Sequence, residues 1–162
     1  SRETTFLEDL WDKRLLLAHL AYLCDRLTLA LREDRLYAHV IEVKARTADF
    51  KTEIKRRLVL SPLQEMGKIY KVAEELFLEL TAGSRLALRL VGVKASDLVR
   101  VRPLSLFEPY SERPERLGRA LDEVRDKYGF GSLLTAREKM LDTVYAFEPR
   151  RGYVLKTASL TK

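Results

Sequence analysis

Two stretches of the chain repeat apolar residues every three or four positions, which is the spacing of a helix with one buried stripe. The first stretch runs from Leu10 to Leu31 and the second from Met66 to Leu80. Asp9 stands where the N-cap of the first helix is expected. The pattern therefore predicts two amphipathic helices, each with one face for a core.

Four other segments are predicted to be strands, and two of them, 37–47 and 85–94, alternate side chains between a core face and an outer face. The four segments cover residues 2–6, 37–47, 51–60 and 85–94, and the third is expected to end at Ser61-Pro62. Placed with the helices, they give the order β-α-β-β-α-β. This order predicts an α+β fold of two layers, in which two helices cover one face of a four-stranded sheet and the other face stays exposed.

The fourth predicted strand places Leu86, Leu88 and Leu90 on one face and Arg89 on the other. Gly92 lies inside this strand, where a glycine marks a bulge or a close approach of another backbone.

Cations alternate along the two middle strands, at Lys44 and Arg46 and again at Lys55 and Arg57. The polar break at 47–49 predicts a hairpin, and the two runs would then form a cationic grid on one sheet face. Such a grid suits a nucleic-acid backbone, although from charge alone an ordinary solvated face explains it equally well.

The 162 residues carry a formal net charge of +6, with 46% hydrophobic and 33% charged residues. This composition predicts a folded, soluble chain with an anionic partner. No apolar run has the length of a membrane span, so we expect no membrane partner and a cytoplasmic location. The single Cys24 is expected to be a buried free thiol. Because the chain starts without Met, we expect a fragment of a larger protein.

The sequence shows no arrangement typical of an active site. It has no glycine-rich phosphate loop, no nucleophile triad and no cluster of residues with metal-ligand spacing. His19 and His39 are interpreted as structural residues. We therefore expect a binding module without catalytic residues, metal or cofactor of its own.

After the sheet domain, residues 99–110 predict an extended segment with a proline near each end, and a third helix follows with Pro114 in its first turn and Gly129 at its end. The pattern after Met140 predicts neither a strand nor a helix clearly. We divide the chain into a domain at 1–98, a linker at 99–110 and a helical extension with a tail at 111–162.

Three segments resemble bacterial Y-family polymerases of the DNA polymerase IV type. Residues 2–6 resemble the Gly-x-Glu-Thr-Thr-Phe segment that leaves the thumb, and residues 43–52 resemble the Leu-Lys-Leu-Arg-Tyr-x-Asp-Phe-x-Thr hairpin. Residues 90–96 resemble the closing strand, Leu-Leu-Gly-Val-Arg-x-Ser. All three belong to that family's little-finger, or polymerase-associated, domain, whose fold is β-α-β-β-α-β.

The resemblance implies that the exposed sheet face holds the phosphates of primer-template DNA for synthesis past damaged bases. The positions that match basic residues of the family are Lys44, Arg46, Lys55, Arg57, Arg89 and Lys94. Arg56 stands where serine is common. The intact enzyme would be a DNA-directed DNA polymerase that uses two magnesium ions held by palm carboxylates, so the catalytic residues would lie outside this chain.

Residues 103–107 resemble the Gln-Leu-Ser-Leu-Phe peptide by which bacterial replication proteins bind the sliding clamp. The resemblance assigns clamp binding to Leu104, Ser105, Leu106 and Phe107, with Pro103 in place of the usual Gln. The alternative is that Leu106 and Phe107 dock onto the domain itself.

Two other functions stay open at this stage. One is an RNA-binding α+β module, although such modules stack bases on aromatic residues of the sheet and the predicted face has none. The other is a protein-interaction domain whose basic face meets an acidic partner.

Overall fold

The computed structural model describes residues 1–83, 87–100 and 113–155. Within these ranges the chain forms six strands, three α-helices and two short 3₁₀ helices. The strands and α-helices are β1 (Arg2–Leu10), α1 (Lys13–Glu33), β2 (Tyr37–Thr47), β3 (Thr52–Leu63), α2 (Met66–Thr81), β4 (Leu88–Val99), α3 (Arg113–Tyr128), β5 (Phe147–Glu148) and β6 (Gly152–Tyr153). The 3₁₀ helices span Phe130–Ser132 and Glu138–Thr143.

The first four strands form one antiparallel sheet in the order β1-β4-β2-β3. The last strand of the domain, β4, therefore lies between β1 and β2, and β1 and β3 are the edges of this sheet. Helices α1 and α2 pack on one face and enclose the main core with the strands. This arrangement confirms the predicted two-layer α+β fold.

Helix α1 begins where Asp12, not Asp9, caps it. The Asp12 carboxylate accepts hydrogen bonds from the backbone N–H of Arg14 at 2.8 Å and of Leu15 at 3.4 Å. Asp9 lies instead in β1, which extends four residues beyond its predicted end because its edge pairs with β4. None of the helices in the described ranges is long and apolar enough to cross a membrane.

Helix α1 is buried on two sides. The leucines that recur at the predicted helical spacing contribute to the main core together with the free thiol of Cys24, as expected; they are Leu16, Leu20, Leu23, Leu27 and Leu31. On its other side, Ala18 and Tyr22 belong to a second cluster, which is completed by Phe130, Leu141 and Tyr153 of the C-terminal extension. The extension is therefore folded against α1, and its chain includes the short β5-β6 hairpin that the sequence pattern did not predict.

The Tyr22 hydroxyl fixes the β5-β6 hairpin to α1. It accepts a hydrogen bond from the backbone N–H of Tyr153 at 2.9 Å and donates one to the carbonyl oxygen of Tyr153 at 3.0 Å. The hairpin can come this close because residue 152 is a glycine. Its φ is +76°, and a Cβ at this position would lie only 2.6 Å from the Tyr22 hydroxyl. A tyrosine on the helix thus satisfies backbone groups that a neighbouring strand would otherwise pair.

A buried charge cluster makes the second link between α1 and the extension. Arg125 of α3 donates two hydrogen bonds to the Asp25 carboxylate, at 2.9 and 2.5 Å, and both residues are at least 95% buried. Glu138 is fully buried beside them. Burial raises the pKa of Glu138 to about 7, and the negative charge of Asp25 also favours the protonated form.

His19 provides a third link. Its Nδ1 lies 2.7 Å from the Leu15 carbonyl oxygen, so Nδ1 carries the proton and Nε2 accepts from the Tyr145 hydroxyl at 3.1 Å. Burial lowers the pKa of His19 to about 4, which keeps the ring neutral. The structural role predicted for this histidine agrees with these contacts.

Two predictions for the sheet were wrong. The strand β3 does not end at Ser61-Pro62 but continues to Leu63, and Pro62 lies within it on an edge of the sheet, where proline is tolerated. The predicted alternation in β4 fails because a register shift places Leu88 opposite Thr47 and Leu90 opposite Arg46. Leu88 thus reaches the core, whereas Leu90 points to the other face of the sheet.

Candidate nucleic-acid interface

The sheet face away from the helices is defined by its register, because directly paired residues of antiparallel strands point to the same side. We call it the open face. It comprises Glu3 and Thr5 of β1, Leu90, Gly92, Lys94 and Ser96 of β4, Val40, Glu42, Lys44 and Arg46 of β2, and Thr52, Ile54, Arg56 and Leu58 of β3.

Four cations and two carboxylates lie on the open face. Glu42 is directly opposite Arg56 on one side and Lys94 on the other, and the Lys94 ammonium is 4.0 Å from the Glu42 carboxylate. Arg46 donates to the Thr52 hydroxyl at 2.8 Å. Neighbouring cation positions are about 7 to 10 Å apart, from the rise of a strand and the spacing between strands. The face carries an excess of positive charge.

Lys44 is held by an ion pair that depends on Gly92. The Lys44 ammonium lies 2.6 Å from the Glu3 carboxylate, two strands away across Gly92. A Cβ at position 92 would lie 2.8 Å from the Glu3 Cβ, so any side chain there would displace Glu3. The close approach predicted at this glycine is confirmed, and its effect is to let Lys44 and Glu3 meet.

Lys55 and Arg57 do not lie on the open face, and this part of the sequence interpretation was wrong. They pair directly with Val43 and Ile41, whose side chains are buried under the helices. From that side Arg57 binds both Glu75 and Glu79 of α2, and the Lys55 ammonium lies 3.3 Å from Glu79. Two carboxylates of α2, Glu75 and Glu79, thus neutralise these two cations.

Arg56 is the β3 cation that does reach the open face. It is exposed, and its side chain makes neither an ion pair nor a hydrogen bond with any residue in the described ranges. The sequence interpretation missed Arg56 because it assumed that the alternating cations of β2 and β3 point to the same face of the sheet. The signal that could have identified it is the apolar pattern of the partner strand, since Val43 opposite Lys55 fixes which β3 residues face outward.

Arg89 is held at the end of the sheet rather than in the cationic grid. Its guanidinium lies 3.0 Å from the Asp9 carboxylate and stacks over the ring of Phe50 in the hairpin turn, 4.5 Å from the ring centre. Position 89 is the extra residue at the register shift between β2 and β4, which explains the departure from strict alternation.

Apolar side chains flank Arg56 on the open face. Ile54 is 54% exposed and Leu58 is 68% exposed, and Leu60 farther along β3 is fully exposed. No aromatic side chain is among the open-face residues of the described strands. The clamp-like peptide at Leu104, Ser105, Leu106 and Phe107 lies outside the described residues.

The sequence and the fold match one family of proteins. Residues 1–106 match the model of the impB/mucB/samB family C-terminal domain. The chain is 34% identical over 145 residues to a DNA polymerase IV of Dehalococcoides mccartyi, which covers 90% of the chain and 37% of that protein. It is 32% identical over 140 residues to the DNA polymerase IV of Caulobacter vibrioides, covering 85% of the chain and 34% of the relative.

Solved structures show the same fold. A ternary complex of Dbh DNA polymerase aligns with 62% of the chain and 29% of that polymerase, with a TM-score of 0.53 and 25% identity. The chain spans only about a third of the length of its curated relatives. It belongs to the impB/mucB/samB family and comprises the C-terminal domain of that family, the little finger of the Y-family polymerases.

Proposed function

We propose that this chain holds primer-template DNA by the phosphates, with the open face of the sheet as the contact surface. The observation that carries the proposal is the placement of Lys44, Arg46, Arg56 and Lys94 on a face that no described helix covers. Membership of the family supports it, as does the likeness to a polymerase ternary complex. Phosphate contacts position a duplex without reading its sequence, which suits a polymerase that copies any template.

The ion pairs on the open face do not prevent this role. The side chains of Lys44 and Glu3 are 27% and 29% exposed, and those of Lys94 and Glu42 are 53% and 20% exposed. Pairs that water reaches in this way contribute little to stability, so a phosphate can replace the carboxylate as partner. Arg56, without a carboxylate partner in the described ranges, is available without such an exchange.

The activity of the whole protein is part of the same proposal. The relatives that the chain resembles are DNA polymerases IV, and this chain corresponds to about a third of their length. The parent would carry out template-directed DNA synthesis past lesions. Its two magnesium ions would be held by palm carboxylates that are not in this chain.

The double substitution Arg46→Gln/Arg56→Gln is expected to weaken binding of a short primer-template duplex roughly tenfold for each cation, since a charge-assisted hydrogen bond contributes about 1.5 to 3 kcal/mol. The slope of log affinity against log salt concentration should flatten by about 0.9 for each phosphate that the variant no longer neutralises. Fluorescence anisotropy of labelled duplex across a salt series measures both quantities.

The matched control is Lys55→Gln/Arg57→Gln, which removes the same number of charges from β3 on the opposite face of the sheet. Its duplex affinity should stay within a few-fold of the unsubstituted chain because Glu75 and Glu79 already neutralise these residues. Equal losses in the two variants would mean that only net charge matters. Tighter binding of single-stranded RNA than of duplex, or no dependence on salt, would contradict the proposal.

We also propose that Leu104, Ser105, Leu106 and Phe107 dock on a sliding clamp. The physical basis is the apolar character of Leu106 and Phe107, since burying each such side chain in a pocket of a partner contributes about 1.5 to 3 kcal/mol. Leu106→Ala/Phe107→Ala is expected to lower affinity for the clamp more than tenfold and to leave duplex binding unchanged, as measured by surface plasmon resonance. The control is Leu117→Ala, at a 68% exposed position of α3. Unchanged clamp binding in the double variant would show that the peptide does not bind the clamp.

A further inference from the structure

A cleft of about 450 Å³ lies where the C-terminal extension meets α1 and the β1 edge of the sheet. Its lining is partly apolar and includes Leu23, Leu155 and the aromatic Tyr22. Four arginines from three separate parts of the fold converge on it. They are Arg2 of β1, Arg26 of α1, and Arg150 and Arg151 in the turn between β5 and β6.

These arginines are not neutralised within the described ranges. None of them forms an ion pair with a described carboxylate, in contrast to Arg32, Arg57 and Arg125. The one carboxylate that lines the cleft belongs to Glu3, which already binds Lys44 at 2.6 Å. The cleft therefore concentrates positive charge, which attracts an anionic partner.

The cleft is also built to hold that charge in place. The guanidinium of Arg26 stacks over the ring of Phe130, 4.6 Å from its centre, which orients the planar group. Arg150 and Arg151 are positioned by backbone hydrogen bonds on both sides of the turn, from the Phe130 N–H to the Arg150 carbonyl oxygen at 2.9 Å and from the Arg151 N–H to the Glu148 carbonyl oxygen at 3.1 Å. Oriented guanidinium groups bind phosphate oxygens with two hydrogen bonds each.

The cleft adjoins the open face of the sheet at Glu3 of β1. Glu3 lines this cleft and also the depression on the open face that contains Lys44 and Lys94. A chain of phosphates that lies along the open face and crosses the β1 edge would reach the arginines directly. A single small anion would occupy only one of the two surfaces, whereas a nucleic-acid backbone can contact both the open face and the cleft.

We infer that this arginine cleft is a second phosphate-binding site, which holds the DNA backbone where it continues beyond the duplex on the open face. The inference rests on the function proposed for the open face and adds a role for the C-terminal extension, whose hairpin supplies two of the four arginines. The extension would then lengthen the DNA-binding surface of the domain.

The test compares a short duplex with the same duplex carrying a single-stranded extension. Arg150→Gln/Arg151→Gln should lower affinity of the 162-residue chain for the extended DNA roughly tenfold. It should also flatten the salt slope by about 0.9 for each phosphate that is no longer neutralised. Affinity for the short duplex should not change. Arg2→Gln, on a different strand, should act in the same direction, and Arg116→Gln/Arg119→Gln on the exposed side of α3 is the charge-matched control.

The outcomes separate the two proposals. Suppose that Arg46→Gln/Arg56→Gln lowers affinity for the short duplex while Arg150→Gln/Arg151→Gln binds extended DNA as tightly as its control variant does. The cleft inference is then wrong and the open-face proposal stands. If the open-face variant has no effect on the short duplex, the proposed function fails first. Binding of poly-glutamate that depends on the cleft arginines, with no such dependence for DNA, would overturn the inference in favour of an acidic protein. Thermal unfolding and near-ultraviolet circular dichroism of each variant confirm that the extension remains folded.

Discussion

Replacing Arg125 with Ala is expected to lower the free energy of unfolding by about 3 to 5 kcal/mol, the cost of leaving a buried charge without its partner. Asp25, 3% exposed, would lose both guanidinium hydrogen bonds and would face the buried Glu138 alone. Arg125 also donates to the Leu133 carbonyl oxygen at 2.7 Å, which would lose that donor. The extension should separate from α1 while the sheet domain stays folded.

Chemical unfolding followed by near-ultraviolet circular dichroism reports this result, because Tyr22, Tyr145 and Tyr153 lie at the junction. The exposed Arg116→Ala is the control and should change stability little. The double variant Asp25→Leu/Arg125→Met should recover much of the loss, since an apolar pair replaces the ion pair without leaving a buried charge. A loss of less than about 1 kcal/mol in Arg125→Ala would show that the pair is not buried in solution.

The second large effect is a dependence of stability on pH with two opposing contributions. The pKa of Glu138 is raised from about 4.5 to about 7, so its contribution is complete below pH 4.5 and is lost as the pH rises through 7. The pKa of His19 is lowered from 6.5 to about 4, so its contribution is present above pH 6.5 and is lost as the pH falls through 4. Each changes the unfolding free energy by about 1.4 kcal/mol per pH unit within its window.

Between pH 4.5 and 6.5 the two contributions cancel, and from pH 6.5 to about 7 stability should fall because only Glu138 still changes its protonation. Glu138→Gln removes one of them: its stability should rise with pH up to about 6.5 and should not decline near pH 7. Thermal unfolding of the chain and the variant from pH 4 to 9 measures the difference. Glu123→Gln, at an exposed position of α3, is the control. Parallel pH profiles for the unsubstituted chain and Glu138→Gln would show that folding does not raise the pKa of Glu138.

Much of the fold could be predicted because its elements follow from local patterns. The leucine stripe of α1 reaches the core as its helical period requires, and β2 begins and ends where its alternation does. Boundaries that depend on pairing partners were less predictable. The strand β1 extends to Leu10 and β3 to Leu63 because neighbouring strands provide hydrogen-bond partners, and a local pattern carries no information about those neighbours.

The candidate site was predicted in part. Lys44, Arg46 and Lys94 lie on the open face, as the alternation of their strands indicates. Lys55 and Arg57 were assigned to the same face by the likeness of their charge pattern, whereas the hairpin register places Arg56 there. A shift of one residue exchanges the two faces of a strand, and only the pairing with β2 decides which face is which.

The sequence by itself determined the order and type of the elements, the excess of positive charge and the family to which the chain belongs, since each is written in local spacing or in short motifs. The tertiary structure decided which cations face outward, how β4 comes to lie between β1 and β2, and that the C-terminal extension packs on α1. Ion pairs such as Asp25 with Arg125, and the convergence of four arginines at one cleft, join residues about a hundred positions apart. Such contacts depend on how the elements pack together, and no local period in the sequence records that packing.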